Sequence, residues 1–598
     1  MITPMRKVFV AARAADRDRL LEALRDLQVV HLAPVEPARA VADADTTAAI
    51  DRLRRALQVL GEMPPRGQAP AIAPAQAAEE VLRIQRESAE RAGRLAALHL
   101  QLEQLAAWGE TRLEDFKALG EAGIALQFFA VPRKAAADVR AECVELLGPW
   151  PGRRVLVAVA GRGGEVRVPE GSEPVPLPSR DRPSIRAEAA QVDAALRADA
   201  GRLAAIAHLV PPMKKELAAF QEQAAWTVAS RSGLEDRHLA SVQGWVPAER
   251  VEKLAGGVTA AGVTAAVQSL DPAPGEEPPT LIRYNWFTRP MKGLFDILGT
   301  VPGYGEFDVS TMFMIFLPVF SAILISDTGY GLLYLVLPAV FYRRMAAAGV
   351  EALARLIMAI GACSVVWGIL TCSIFGFDYS CVFGRTEPFI AVSMKKESMD
   401  LLMLISITLG AVQLSLAHLW KAKAAFPRLN FLSEAGWAAW LWGMYGLVKM
   451  LLLKDPATFE DFTDKTIHPY LLAIGGGLAI VFAAPHRNPL KMLGLGLANF
   501  PLSAIGTFGD TVSYVRLMAI GLAGSALALA FNDMGGSLPW FGMIPVIVAG
   551  HALNVALSII SLFAHGVRLN MLEFSNNLGM QWSGYAYEPF AKRHREEA

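Results

Sequence analysis

The sequence predicts a mainly α protein. A polytopic eight-helix membrane domain with two long tilted C-terminal helices follows a cytoplasmic coiled-coil hairpin that carries two small α+β lobes. Three observations predict this. Charge is uneven: positions 1–300 of the 598-residue chain hold 76 of the 114 Asp, Glu, Lys and Arg residues. Apolar stretches near 20 residues, the length that crosses hydrocarbon, begin after residue 310. Two long runs, 77–107 and 185–228, are rich in Ala, Leu, Glu, Gln and Arg, a composition that suits paired amphipathic helices. The formal net charge is zero, so nothing points to a nucleic-acid partner. The four cysteines form no CxxC pair and read as small buried hydrophobes. The N-terminus lacks a continuous apolar core, so a secretory signal peptide is not expected and the first half should stay in the cytoplasm.

The soluble half begins with a proximal lobe over 1–75. It reads as a strand (Val8 to Ala11), a helix capped near Asp16 and a second strand (Val29 to Leu32). The hairpin occupies 76–228, its second arm broken at Pro211 and Pro212, with a distal lobe at 112–182 built on strand-like segments 124–131 and 153–161. Residues 229–270, including "SVQGWVPAERVEKLAGGV", should return and complete the proximal lobe. "DPAPGEEPP" then opens a linker over 271–310. The Gly-rich "GRGGEVRVPEG" follows a strand without leading into a helix, so it reads as a hairpin turn. No Walker A loop, HExxH or GxSxG is present. No nucleotide site, metal or cofactor is expected.

The expected transmembrane domain covers 311–598. Eight spans are expected: 311–326, 328–342, 354–377, 400–420, 434–453, 467–484, 493–532 and 541–572. If residues 1–300 lie inside, the inner loops "YRRMAAAGVEALAR", "KAKAAFPRLN" and "APHRNPLK" and the tail "KRHREEA" each carry Lys or Arg. The outer loops, such as "KDPATFEDFTDKT", are mixed or acidic. The positive-inside rule then places both termini in the cytoplasm.

Polar residues inside the spans carry the functional reading. In the last span His551, Asn554, Ser558, Ser561, His565 and Arg568 recur at steps of 3, 4, 3, 4 and 3, one face of an α-helix. Seventeen steps make a stripe about 25 Å long, with Glu573 just beyond it. It is either a hydrated wall or a helix interface joined by polar side chains. In the preceding span Ser503, Thr507, Asp510 and Ser513 lead up to Arg516. Ala519, Ala523, Leu527 and Ala530 follow on the same face. An intramembrane arginine marks an ion path or rests in a static pair with Asp510 or Glu573. Small residues permit close approach of another helix. The two polar faces lie at opposite depths, so a path through both is offset. Asp327 is open between a cap and a proton relay. Glu434 starts a span, where an acid also favours the helix N-terminus; His418 reads as interfacial.

These residues lie in blocks that resemble subunit I, or subunit a, of the rotary V-type/A-type ATPases in prokaryotic form. The blocks are "GWVP" (244–247), "PPTLIRYNWFTRPMKGLFDILGTVPGYGEFD" (278–308), "FMIFLPVFSAILISDTGYGLL", "VVWGILTCSIFGF", "FGDTVSYVRLMAIGLAGS" and "GHALNVALSIISLFAHGVRLNMLEF". The resemblance implies a non-catalytic stator in the prokaryotic plasma membrane. It would lie beside a proteolipid c ring, bind peripheral stalk subunits and the central-stalk top subunit, and carry H+ or Na+ through two half-channels. Arg516 and Arg568 would stand for the family's two membrane arginines. The chain departs from better-known members at Ser558 and at Leu502 or Ser503, where those have carboxylates. A stand-alone secondary transporter is the rival reading; it would show inverted repeats, and none is evident.

Overall fold

The computed structural model describes residues 1–592 apart from 62, 164–165, 384–386, 394, 456 and 486–487. Residues 593–598 and 486–487, counted above among the inner basic charges, therefore lie outside the described residues. So do 164–165 of the Gly-rich turn and 456 of an outer loop. Contacts divide the chain into two units: Met1–Val8, Trp245–Lys253 and Gln268–Pro589, and Phe9–Gly244, Leu254–Val267 and Phe590–Ala598.

The elements of the soluble part are β1 (Met5–Arg13), α1 (Arg17–Leu27), β2 (His31–Leu32), α2 (Ala44–Leu60), α3 (Pro74–Gln104), α4 (Leu113–Glu121), β3 (Ala125–Pro132), β4 (Cys143–Trp150), β5 (Arg154–Gly161), β6 (Glu173–Pro174), α5 (Arg182–Ile206), α6 (Val210–Arg231), β7 (Leu234–Glu235), β8 (Leu239–Pro247), α7 (Val251–Ala260) and β9 (Ala265–Leu270). The proximal sheet has the order β2-β8-β1-β9, with β7 on β8, so the returning chain is inserted beside the first strand. The distal sheet has the order β4-β5-β3-β6. Its strands alternate between faces, as period-2 geometry requires. Phe128 and Leu156 pack on Trp108 on one face, while Val131, Val157 and Val159 pack on the other. β4 was not anticipated from sequence; Glu145, Leu146 and Pro149 on it are exposed, which leaves little apolar alternation to read.

The hairpin arms α3 and α5 meet along Leu98, Ile185 and Ala189. Salt bridges flank the seam: Arg202 holds Glu80 with two hydrogen bonds of 2.6 and 2.9 Å, and Arg94 Nε donates to Glu188 at 2.7 Å. Such exposed pairs contribute at most about 1 kcal/mol each, so the apolar seam dominates. Two features differ from the sequence reading. The second arm breaks at Ala207–Leu209, a short 3-10 turn, and Pro211 and Pro212 begin the next helix. Proline fits a first helical turn, whose N–H groups have no intrahelical acceptor. The unanticipated α2 also packs on the arms through Leu53, Ala56 and Leu60.

The remaining elements are α8 (Arg289–Leu298), α9 (Ser310–Ile325), α10 (Thr328–Val340), α11 (Tyr342–Ala347), α12 (Glu351–Thr371), the two-residue strands β10 (Ser373–Ile374) and β11 (Phe377–Asp378), α13 (Lys396–Ala425), α14 (Asn430–Leu453), α15 (Phe459–Lys465), α16 (His468–Val481), α17 (Pro489–Ser513), α18 (Val515–Gly536), α19 (Trp540–Ser561), two π-helical segments (Leu562–Val567 and Leu569–Phe574) and α20 (Ser575–Leu578). Among the described residues, four helical stretches are long and apolar enough to cross a membrane: Glu351–Thr371, Lys396–Ala425, Pro489–Gly536 and Trp540–Leu578. Three shorter apolar helices, Ser310–Ile325, Thr328–Val340 and His468–Val481, accompany them. The two long C-terminal stretches are both interrupted, one at Tyr514 and one by the π segments. Met291, Phe295, Phe313, Leu317, Val567 and Phe574 belong to a single core that ties α8 and α9 to the last stretch.

Asp181 helps to fasten the distal lobe to the hairpin. Asp181 caps α5 by accepting from the Ser184 N–H at 2.8 Å, and also accepts from the Leu113 N–H at the start of α4 at 3.0 Å. These backbone donors hold its carboxyl down at about 2. A depressed carboxylate stabilises the fold above its unfolded pKa, about 4, and loses that effect as pH falls through its folded value. Protection factors of the Leu113 and Ser184 amides should therefore fall between about pH 4 and about pH 2. Asp181→Ala should lack protection at both amides already at neutral pH. Constant protection across that window would count against the fastening.

Candidate ion-translocation site

Arg516 stands in the first turn of α18, two residues past the interruption at Tyr514. The interruption is held by burial and hydrogen bonding together. Tyr514 is fully buried, and its ring meets Phe320 edge-on at 5.7 Å. Its hydroxyl donates to Gln413 Oε1 at 2.6 Å, and Gln413 Nε2 donates to Asn570 Oδ1 at 2.9 Å. Gly410 makes room for the ring; a Cβ there would collide with it. Buried polar groups in hydrocarbon need partners, and these three satisfy one another. The helix break is thereby tied to the π segment that carries Asn570.

Glu573 is 4% exposed and lies between two guanidinium groups. Its Oε1 is 3.9 Å from Arg516 Nη1 and 3.6 Å from Arg568 Nε, beyond hydrogen-bond length in both cases. Arg516 Nη1, Glu573 Oε2 and His565 Nδ1 are buried without a hydrogen-bond partner among the described residues. Asp510 is engaged elsewhere. Asn577 Nδ2 donates to Asp510 Oδ2 at 2.8 Å and to the Glu573 carbonyl at 2.6 Å, while Asn577 Oδ1 lies 3.1 Å from His418 Nε2. His418 Nδ1 lies 2.8 Å from Glu434 Oε2, and Lys421 Nζ is 2.9 Å from Glu434 Oε1. A connected polar cluster thus runs from Asp510 to the C-terminal turns of α13 and the first turns of α14.

A second cluster is built from tyrosine, histidine, asparagine and serine side chains. The Tyr330 hydroxyl is 2.7 Å from His551 Nδ1, and His551 Nε2 is 3.1 Å from Asn532 Oδ1. Asn554 Nδ2 donates to the Tyr330 hydroxyl and to the Gly524 carbonyl, each at 3.0 Å. Ser558 Oγ donates back to the Asn554 carbonyl at 2.8 Å.

The stripe read from sequence is thus not one wall. His551, Asn554 and Ser558 turn inward with their partners, Ser561 and His565 are half-buried, and the Arg568 side chain is 51% exposed. The steps of 3 and 4 assume an α-helix throughout, but the helix becomes π-helical at Leu562, which changes the angle per residue. Ser513 and Ser561 end α17 and α19 and stand outside both clusters. Glu434 is paired with two basic groups rather than acting only as a terminal acid. Asp327 sits as a cap. Its Oδ1 accepts from the N–H groups of Gly329, Tyr330 and Phe375 at 2.7, 3.1 and 2.9 Å; its Oδ2 accepts from Ser373 Oγ at 2.7 Å and Gly376 N–H at 2.9 Å. Every lone-pair direction within reach is used by the local fold, so a relay role has no geometric support.

Asn577, Tyr330, Asn532, Gln413 and Lys421 were not singled out from sequence. Asn577 lies after the α-helical pattern ends, Lys421 opens the inner loop "KAKAAFPRLN" that was read only for its charge, and the others are single polar residues in or beside otherwise ordinary spans. An asparagine in a post-span segment gives no periodic signal. Beside Arg516, Ala519, Ala523 and Ala530 are exposed and Leu527 is half-buried, while Gly521 turns inward onto the Ile323 carbonyl. The small-residue face is therefore open.

No family model matches the chain. A protein of Borreliella burgdorferi described as V-type ATP synthase subunit I is 27% identical over 623 residues, covering 99% of this chain and 100% of that protein. V-type ATP synthase subunit I 1 of Treponema pallidum is 28% identical over 654 residues, with 99% and 100% covered. A-type ATP synthase subunit I of Pyrococcus abyssi is 25% identical over 369 residues, covering 58% and 53%. A crystal structure of the cytoplasmic N-terminal domain of a V-ATPase subunit I aligns with 44% of this chain and 100% of that domain at 18% identity. Its TM-score of 0.18 is too low to carry a likeness. The chain is thus similar over nearly its full length to these two V-type ATP synthase subunit I proteins, and over 58% of it to the A-type one.

Asp327→Ala would leave four backbone N–H groups and one hydroxyl without their acceptor. At about 1–3 kcal/mol for each buried donor left unsatisfied, partial relaxation still leaves a loss of several kcal/mol. The purified chain in detergent should melt markedly lower, and Asp327→Asn should lose less. Equal melting of Asp327→Ala and the parent would refute the capping role.

Proposed function

We propose that the chain is the membrane stator subunit of a V/A-type rotary ATPase. It lies in the prokaryotic plasma membrane with both termini cytoplasmic, beside a proteolipid c ring. It offers H+ or Na+ two offset half-channels, and its soluble half binds peripheral stalk subunits and the central-stalk top subunit. It is non-catalytic, and nucleotide chemistry belongs to partner subunits. One observation carries the reading: at an open face of small residues, half-buried Arg516 has a buried Nη1 with no hydrogen-bond partner among the described residues. A cation in low dielectric calls for a nearby anion, and among the described residues it has a carboxylate at 3.9 Å that is shared with Arg568.

A carboxylate borne by a neighbouring ring completes that geometry. Arg516 favours its ionised form, so a ring carboxyl arriving protonated gives up its proton or ion near Arg516. The cluster Asp510–Asn577–His418–Glu434 supports an exit or entry toward the inner surface. The cluster His551–Tyr330–Asn554 supports the outer half-channel, with Ser558 extending it. The clusters flank Arg516 without joining through it, which suits an offset path with no straight leak. The exposed Ala519, Ala523 and Ala530 let a helix pass at close range. The end-to-end similarity to subunit I proteins of ATP synthases agrees with this assignment.

The test uses the assembled complex in vesicles. Arg516→Ala should abolish ATP-driven ion uptake while a proteolipid ring still copurifies with the chain. Uptake at the parent rate, or a parent chain that never copurifies with a ring, would sink the proposal.

A further inference from the structure

Arg568 and Glu573 are five residues apart. On an α-helix five steps end about 140° from the start, and the two side chains would face different sides. Between them the chain is π-helical, and a π turn closes residue i on i+5. Arg568 Nε therefore comes to 3.6 Å from Glu573 Oε1. Arg516 reaches the same oxygen from α18, at 3.9 Å. One carboxylate is held between two cations and hydrogen-bonded to neither, with Glu573 Oε2 and Arg516 Nη1 buried and unpartnered.

We propose that Glu573 is the resting counter-ion of Arg516, exchanged for a carboxylate of the neighbouring ring at each step, and that Arg568 holds it back so that the exchange stays reversible. The inference rests on the rotary reading above. A buried guanidinium without a counter-ion is costly, so a replacement must be at hand when the ring carboxylate leaves. A closed bidentate pair would be the opposite fault, because Arg516 would then be unavailable to the ring. A carboxylate divided between two arginines avoids both. Arg568 is the positioning residue: its side chain is 51% exposed, and its Nε draws Glu573 away from Arg516. No covalent bond changes. The proton or ion released by the ring leaves by the Asp510 side.

The experiment measures ATP-driven ion uptake by vesicles holding the assembled complex, with ring copurification as the check on folding. Glu573→Gln should lower uptake at least tenfold with the ring retained. Arg568→Gln should lower it by a similar factor, because Glu573 then settles on Arg516. The double variant should be no worse than Glu573→Gln alone, since Arg568 acts only through Glu573. Parent-rate uptake in either single variant, or losses that multiply in the double variant, would overturn the inference. If Glu573→Gln fails to retain the ring, Arg568→Gln, at an exposed side chain, decides the matter. Arg516→Ala separates the two levels. Were it inactive while Glu573→Gln pumps normally, only the counter-ion role would fail; were it active, the rotary reading would fall first.

Discussion

The hydrogen bonds of Gln413 govern the geometry around the arginines. This fully buried side chain accepts from Tyr514 and donates to Asn570, joining the break between α17 and α18 to the second π segment. Both are irregular points, and irregular backbone at membrane depth survives only where protein groups satisfy it. Arg516 lies two residues past one of them, and Glu573 three residues past Asn570. The separation of Arg516 and Glu573 is therefore set by a middle helix, α13, that contributes neither charge. The surrounding apolar contacts of Phe320, Leu414, Leu441, Leu517 and Leu569 exclude water from the bridge and make its bonds expensive to break.

That arrangement explains why charge is tolerated here at all. An isolated arginine in an apolar helix would be driven toward solvent or a counter-ion. Arg516 has Glu573 near but not bonded, Arg568 as competitor, and a row of exposed alanines beside it. Asp510, the acid closest in sequence, is unavailable to it because Asn577 holds that carboxylate. The amide orientation of Asn577 follows from its neighbours: its Nδ2 faces two acceptors, the Asp510 carboxylate and the Glu573 carbonyl, so Oδ1 is left for His418. A neutral amide thus separates an acid from a histidine that could otherwise pair with it directly.

The two polar clusters differ in kind. One contains Asp510, Glu434 and Lys421 and ends where α13 and α14 meet. The other relies on Tyr330, Asn532, Asn554 and His551, with no carboxylate in hydrogen-bond contact. Asp327, whose Oδ1 accepts from the Tyr330 N–H, is spent on capping α10 and holding the β10–β11 hairpin. An intramembrane acid is therefore not in itself a sign of a path; the donors around it decide.

Much of this was legible in the sequence. The division of charge, the apolar spans and the paired helical runs follow from composition and period, since burial of one face leaves a direct imprint on residue order. The isolation of Arg516 and its alanine face were also visible, because both follow from α-helical spacing within a single segment. What the sequence could not decide is where that spacing ceases. A π turn has no residue signature as plain as a proline or a glycine, so the stripe from His551 to Arg568 looked continuous, with Glu573 just beyond its end. The partners of Tyr514, Asp510 and Asp327 lie on other helices or in a hairpin 46 to 49 residues away. Only tertiary packing brings those groups together, because a hydrogen bond in hydrocarbon is chosen by which donor the fold delivers, and no local pattern records that choice.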